Sequence, residues 1–276
     1  METRRMCPQC RAFIQSSDRV CPYCETRVGP RAVDRRQPGE ILGGLIPHTH
    51  FTTAMILLIN FGLFAATVIY GMRAGHADAL WGIDGLTLFA FGAKYREAMV
   101  LDGQWWRLVT AGFLHGGLLH IAMNSWVLFD LGAQVEESYG SSRFLVFYFV
   151  STVFGFLASF WFSNSLSVGA SAGLMGLIGA MIALGVRGES RTGAAMRGQY
   201  VRWAIYCLLF GVMLPGIDNY AHIGGLAAGF CCAYLAGTPK LVETWGERFW
   251  RVAAYGCVLL TALSFLKMYL AFAAAG

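Results

Sequence analysis

Apolar residues in this chain come in long runs rather than in the alternating or one-sided patterns of a soluble domain. The first extends from about Phe51 to Gly71, long enough for a helix to cross a hydrocarbon core of roughly 30 Å. Six more follow, at about Leu118 to Ala133, Phe144 to Phe162, Ser171 to Val186, Tyr200 to Leu214, Asn219 to Gly237 and Trp250 to Ala271. Seven membrane helices are therefore expected. No ten-residue alternation of apolar and polar positions appears, which argues against a membrane barrel. The stretch from Met72 to Trp106 is too polar to span but carries Trp81, Phe89, Phe91, Tyr95, Trp105 and Trp106. It is expected as a hairpin or short amphipathic helix sunk in the interface, where amphipathic rings sit best.

Composition agrees with this pattern. The 276 residues are 56% hydrophobic and 13% charged, with a mean hydropathy of +0.52, which excludes a soluble domain with a charged surface. About 45 residues at the start are polar and Arg-rich, so a small soluble head precedes a membrane body. The net charge of +5 does not mark a nucleic-acid partner, because Lys and Arg are spread among loops rather than gathered with aromatics. They report orientation instead. With the head inside, sixteen of the 21 Lys and Arg residues lie on the inner side, and Arg73, Lys94, Arg96, Arg107 and Lys267 lie outside. This bias places the N-terminus in the cytoplasm and the C-terminus outside. The N-terminus lacks the apolar stretch and cleavage site of a signal peptide, so none is expected.

The head carries Cys7-Pro8-Gln9-Cys10 and Cys21-Pro22-Tyr23-Cys24. Four thiolates from two tight turns can close around Zn2+ at about 2.3 Å, so Cys7, Cys10, Cys21 and Cys24 are expected as one structural zinc site. The pattern resembles a zinc ribbon; a redox dithiol pair is the competing reading. Metal binding is expected to supply most of the folding free energy of so short a segment. Cys207, Cys231, Cys232 and Cys257 lie in apolar runs and read as small buried hydrophobes.

Polar residues interrupt the apolar runs in three stretches. Ser171 opens a helix in Gly169-Ala170-Ser171-Ala172-Gly173. His120 and Asn124 lie four apart on one helix face, with His115 earlier. His222 sits in Asp218-Asn219-Tyr220-Ala221-His222-Ile223-Gly224-Gly225. Each alone reads as helix packing or interhelical glue. In the derived topology, however, all lie near the outer face, where costly polar groups line cavities or sites. Small residues spaced by four, Gly225 with Gly229 and Ala172 with Gly176 and Ala180, allow the fourth and sixth helices to approach closely. Ser171 and His222 are then a candidate nucleophile and general base. A metal site of His115, His120 and His222 is a competing reading. The match of Gly169 to Gly173 with the G-x-S-x-G elbow of soluble hydrolases is expected to be accidental, because no strand precedes the serine.

These motifs resemble the rhomboid intramembrane serine proteases. Trp106-Arg107, His115 with His120 and Asn124, Gly132-xxx-Glu136-xxx-Gly140, Gly169-Ala170-Ser171 and Ala221-His222-Ile223-Gly224-Gly225 occur in the family's order between Phe51 and Gly237. The resemblance implies an all-α membrane protein, a six-helix rhomboid-like bundle plus one C-terminal transmembrane helix, with the zinc-ribbon-like head added. The expected divisions are a head over 1–30, a basic linker over 31–50, a protease core over 51–237, and an inner loop with the seventh helix over 238–276. It also implies a Ser171–His222 dyad without an Asp, and an oxyanion site of His120, Asn124 and the serine N–H. Catalysis on that plan needs no cofactor. The expected substrates are transmembrane segments entering from the bilayer and cut near the outer face of the cell membrane. Trp106, Arg107 and Glu136 resemble the family's structural motifs. Ala172 stands where the family usually has Gly, and Met175 where it often has an aromatic residue. A cytoplasmic partner for the head is a further expectation. The alternative function is a catalytically silent rhomboid-fold protein that binds membrane segments and guides their traffic.

Overall fold

The computed structural model describes residues 4–7, 9–10, 12–15, 18–28, 50–188, 190–240 and 244–275. The expected basic linker over 31–50 lies outside them except for His50. In the head, β1 (Arg4–Met6) pairs antiparallel with β2 (Phe13–Gln15). Each cysteine pair sits in a turn closed five residues on, by Cys7 N–H to the Ala12 carbonyl at 2.8 Å and by Cys21 N–H to the Thr26 carbonyl at 2.9 Å.

From Phe51 onward the chain is helical. α1 (Phe51–Arg73) leads into three short helices, α2 (Gly85–Ala90), α3 (Arg96–Leu101) and α4 (Arg107–Thr110). The longer elements are α5 (Leu118–Val127), α6 (Ala133–Phe162), α7 (Ser171–Arg187), α8 (Arg191–Met213), α9 (Asn219–Ala236) and α10 (Trp245–Ala275). Among the described residues, Phe51–Arg73, Leu118–Phe162 and Trp245–Ala274 are long and apolar enough to cross a membrane, and Ser171–Arg187 is a shorter apolar helix.

The expected second and third helices are joined without a loop. A π-turn over Leu128–Gly132 links α5 to α6, and the chain turns at Gly140, whose φ of 76° departs from helical geometry. Glu136, just before this turn, caps α1. Its carboxylate accepts the N–H groups of Thr52 and Thr53, each at 3.1 Å, and the hydroxyls of Thr53 and Ser141 at 2.9 and 2.7 Å. A buried carboxylate thereby satisfies the orphan donors of a helix start and complements its dipole.

Three cations assigned to loops by sequence are instead buried. Arg143 pairs with Glu247 of α10 at 2.7 and 2.8 Å. Arg107 donates to the carbonyls of Phe89 and Ala93, both at 2.8 Å, and lies over the Phe89 ring at 4.1 Å. Lys94 is fully buried and caps the end of α6 through the Ser163 and Ser165 carbonyls at 2.8 and 3.0 Å. Burial pulls the Lys94 ammonium down to about 8, against the opposing charge of Asp218. Arg107 and Lys94 close backbone carbonyls that neither solvent nor helix satisfies, whereas Arg143 neutralises a buried carboxylate. The segment from Met72 to Trp106 is thus tied to the helical bundle by its buried cations. Of the four cysteines in apolar runs, Cys257 is buried but Cys231 is exposed, since a thiol facing lipid forfeits little.

Candidate functional site

The site is built where α7 meets α9. A Cβ on Gly225 would overlap the Ala172 carbonyl, and one on Gly229 would overlap the Gly176 carbonyl. The contacts advance in step along both helices, so α7 and α9 run parallel with their backbones touching. This is the close approach that small residues permit in membranes. Ala172 and Ala221 share a buried apolar cluster, and both face Gly155 of α6. A Cβ there would lie 2.8 Å from the Ala172 methyl and 2.7 Å from the Ala221 carbonyl oxygen. The neighbours of Ser171 and His222 are therefore locked together at the N-terminal ends of two helices. That end is remote from the start of α1, because the C-terminus of α6 is tied to Lys94 in the segment that follows α1.

Ser171 is half-buried and is the first residue of α7. No side chain caps this helix, so the N–H groups of its first turn are donors for an external acceptor. Gly169 arranges the approach. Its φ of 135° suits glycine, and a Cβ there would stand 2.8 Å from His120 Nε2 and 3.4 Å from Ser171 Oγ. Its own N–H is held by the Ala111 carbonyl at 2.9 Å. The glycine thus lets the His120 ring and the serine hydroxyl both approach the place of one missing methyl group.

His120 Nδ1 accepts the Gly116 N–H at 3.3 Å, which assigns the ring proton to Nε2 on the Gly169 side. The His115 ring, fully buried, packs edge-on against His120 with centroids 5.2 Å apart. Asn124 is buried, and its Nδ2 has no protein partner. An unpaired buried donor is costly, and this one lies a helical turn from His120 on the same face. The N-terminus of α5 is positioned by the segment between α1 and α2: Leu118 N–H donates to the Leu80 carbonyl at 2.9 Å, and Ile83 N–H to the Gly116 carbonyl at 2.8 Å.

His222 is buried, and its Nδ1 has no partner. No hydrogen bond joins it to Ser171 among the described residues, a looseness common in substrate-free sites. The nearest acid in sequence, Asp218, is committed elsewhere. One of its oxygens caps α9 through the Ala221 N–H at 3.1 Å, and the other takes the Ser159 hydroxyl. It therefore anchors α9 to α6 one turn before His222. Met175 is buried in the main core, and the Ala172 methyl lies against Gly155.

Sequence reasoning missed three supports. Gly169 was visible only as part of a small-residue string, and its role depends on the distant His120. Asp218 carried a helix-start signal without any indication of Ser159. Lys94 left no signal, since a lone Lys in a polar stretch reads as solvated.

The second candidate site is in the head. The four thiol sulfurs of Cys7, Cys10, Cys21 and Cys24 lie within 4.8 Å of one another, with Cys7 and Cys24, and Cys10 and Cys21, each 3.6 Å apart. Tetrahedral Zn–S bonds of about 2.3 Å put sulfurs roughly 3.8 Å apart, so the set fits a metal of that type. The Thr26 hydroxyl and N–H bring the Cys24 thiol down to about 6, and the Cys10 N–H lowers Cys7. Cys10 receives the Ala12 N–H, yet desolvation and its three neighbouring sulfurs push it up to about 12. A cation relieves that crowding by holding the sulfurs as thiolates. Among the described residues these four are the one group of side chains that can hold a metal.

The rhomboid domain matches residues 102–239, half of the chain. The chain belongs to the rhomboid family. Among its relatives are Rhomboid protease GluP of Bacillus subtilis (strain 168), 38% identical over 183 residues, and Rhomboid-like protease 3 of Toxoplasma gondii, 35% identical over 185. The first alignment covers 66% of this chain and 35% of the Bacillus protein; the second covers 64% and 67%. RHOMBOID-like protein 6, mitochondrial, of Arabidopsis thaliana is 34% identical over 165 residues, covering 54% of this chain and 49% of that protein. The chain thus spans about a third to a half of the Bacillus and Arabidopsis relatives. The rhomboid match contains Ser171, His222, His120 and Asn124, whereas the four-cysteine head and α10 lie outside it. Rhomboid proteins are membrane-spanning, in agreement with the apolar helices.

Proposed function

We propose that this rhomboid is an intramembrane serine endopeptidase that cleaves transmembrane segments with a Ser171–His222 dyad. The observation that supports the proposal is the backbone contact of α7 with α9, which draws together the helix ends that carry Ser171 and His222, with His120 approaching the serine across Gly169. Ser171 Oγ attacks the scissile carbonyl carbon while His222 takes its proton. The carbonyl oxygen becomes an oxyanion facing His120 Nε2–H, Asn124 Nδ2 and the first N–H groups of α7. Collapse breaks the C–N bond, and His222 returns the proton to the leaving amine. Water then hydrolyses the acyl-serine with His222 again as base. Asp218, spent on Ala221 and Ser159, takes no part as a third member.

Seven helices spanning the cell membrane follow from the apolar runs, with the core over 51–237. The charge bias favours a cytoplasmic N-terminus, an outer C-terminus and a site opening to the outer face. The substrate helix must unwind locally, because an intact helix hides its carbonyls in hydrogen bonds. The head, with Zn2+ in its four-cysteine site, recruits a cytoplasmic partner or regulates the core. Retention of both reacting groups favours the protease over a silent membrane-segment binder.

The test uses the full chain in proteoliposomes with a transmembrane reporter and a serine-reactive fluorophosphonate. Cleavage and labelling are expected to vanish in Ser171→Ala, and cleavage in His222→Ala. Cleavage that survives both substitutions sinks the dyad.

A further inference from the structure

Lys94 is fully buried, and its contacts converge on the connection that delivers the serine. Its ammonium donates to the Ser163 and Ser165 carbonyls at 2.8 and 3.0 Å. Its backbone exchanges two further hydrogen bonds with Ser167, at 2.9 and 3.0 Å. Ser167 precedes Ser171 by four residues, and Gly169 between them is held by the Ala111 carbonyl. The connection over 163–167 has no helical turn of its own, so Lys94 fixes three of its five positions.

The same residue is linked to the helix that bears the histidine. Ser163 N–H donates to the Ser159 carbonyl at 2.8 Å, and the Ser159 hydroxyl donates to Asp218. Asp218 accepts the Ala221 N–H with its side chain and the His222 N–H with its backbone carbonyl, each at 3.1 Å. Lys94 thus sits at the negative end of the α6 dipole and Asp218 at the positive end of α9, each favoured there by its charge. The contacts run from the approach to Ser171, through Lys94, one turn of α6 and Asp218, to His222.

We propose that Lys94, in its charged form, is a positioning residue for the cleavage reaction: it holds the connection before Ser171 in place and, through the end of α6 and Asp218, the start of the helix that carries His222. The proposal rests on the Ser171–His222 reading and adds to it a charge that touches neither substrate nor dyad.

The charge separates positioning from plain stability. Burial pulls the ammonium down to about 8; the charge of Asp218 opposes this shift, and that of Arg96, whose guanidinium holds the Asn164 side chain at 3.0 Å, adds to it. Deprotonation removes one of three donors and the charge assistance of the rest, so the bonds to Ser163 and Ser165 weaken. The attraction to Asp218 goes with it. Turnover is therefore expected to fall as pH rises through about 8. Stability moves the other way. An unfolded lysine titrates at about 10.4, above the folded group, so between those values the unfolded chain binds more protons and this group makes the fold more stable as pH rises.

The full chain in proteoliposomes, with the transmembrane reporter, is assayed for kcat and KM from about pH 6 to about pH 10. The alkaline fall is expected in kcat with KM little changed, while the melting temperature in detergent holds or rises. Asp218→Asn, which remains an N-cap for α9, is expected to move the fall to lower pH, and Arg96→Gln to higher pH. Lys94→Met is expected to lower kcat on the order of 100-fold at neutral pH. Lys94→Arg, charged throughout this range, is expected to restore cleavage and remove the fall. A fall unmoved in both Asp218→Asn and Arg96→Gln, a melting temperature that drops in step with kcat, or full turnover in a folded Lys94→Met overturns the proposal. If neither Lys94 variant folds, the shifts in Asp218→Asn and Arg96→Gln decide it. A chain that cuts the reporter and labels at Ser171, yet has an alkaline profile indifferent to these charges, overturns this proposal alone; one that neither cuts nor labels at any pH overturns the dyad as well.

Discussion

Arg143 of α6 and Glu247 of α10 meet in a two-pronged ion pair, at 2.7 and 2.8 Å, with side chains only 5% and 9% exposed. Glu247 also accepts the Lys240 N–H at 3.0 Å, so one carboxylate ties α10 and the segment before it to the family core. Removing one partner of a buried pair leaves an uncompensated charge, at a cost of about 3–5 kcal/mol. Glu247→Gln is therefore expected to lower thermal stability in detergent and to open the loop before α10 to protease. Arg143→Met with Glu247→Met is expected to recover much of the loss. Equal stability of the single and double variants contradicts a mutual pair.

Gly169→Ala tests how the serine and His120 are brought together. The added methyl meets His120 Nε2 at 2.8 Å and forces a residue with a side chain to φ 135°, a strain of about 1–3 kcal/mol. Reporter cleavage is expected to fall by roughly 100-fold or more, as for loss of an oxyanion donor. Global unfolding should shift much less. Unchanged turnover removes His120 from the site.

His120→Ala and Asn124→Ala address the donors directly. Each is expected to reduce turnover by roughly 100- to 1000-fold, with substrate binding little altered. Groups acting on one oxyanion are not additive, so the double variant should lose less than the product. An effect on KM alone would falsify the oxyanion assignment.

Gly225→Val drives a branched side chain into the Ala172 carbonyl. Overpacking of this kind typically costs about 1–3 kcal/mol. It should separate the N-termini of α7 and α9, so cleavage is expected to fall more steeply than melting temperature. Gly62→Val, where a Cβ meets nothing within 4 Å, serves as the control for a membrane glycine.

Zinc removal is expected to unfold the head and leave the bundle intact. A strong chelator applied to the full chain should release about one zinc and make Cys7, Cys10, Cys21 and Cys24 reactive toward alkylation. Release should become easier as pH falls, because protons compete with the metal for thiolates. Cys21→Ser should lose the metal at neutral pH. A chain that carries no zinc yet protects all four thiols points to the dithiol reading.

Much of this was legible in the chain itself. Apolar runs fixed the positions of the long helices, because a bilayer demands uninterrupted hydrocarbon surface. The knuckle spacing of Cys7, Cys10, Cys21 and Cys24 announced one cluster, because ligands three apart in a tight turn need no distant partner. Ser171, His222, His120 and Asn124 stood out because each is expensive in an apolar helix.

Other features belonged to the tertiary structure. The loop expected before Phe144 is a turn at Gly140, since one glycine at positive φ breaks the helix within a single residue. Arg143, Arg107 and Lys94 looked solvated in a charge count and proved buried. Their partners, Glu247, the carbonyls of Phe89 and Ala93, and the end of α6, are up to 104 residues away in sequence. The chain by itself determined which side chains are too polar for their surroundings, because that is a property of composition along a helix. Only the fold decided which of them meet, because the backbone contact of Gly225 with Ala172 and the missing methyl at Gly169 are three-dimensional distances that no spacing along the chain encodes.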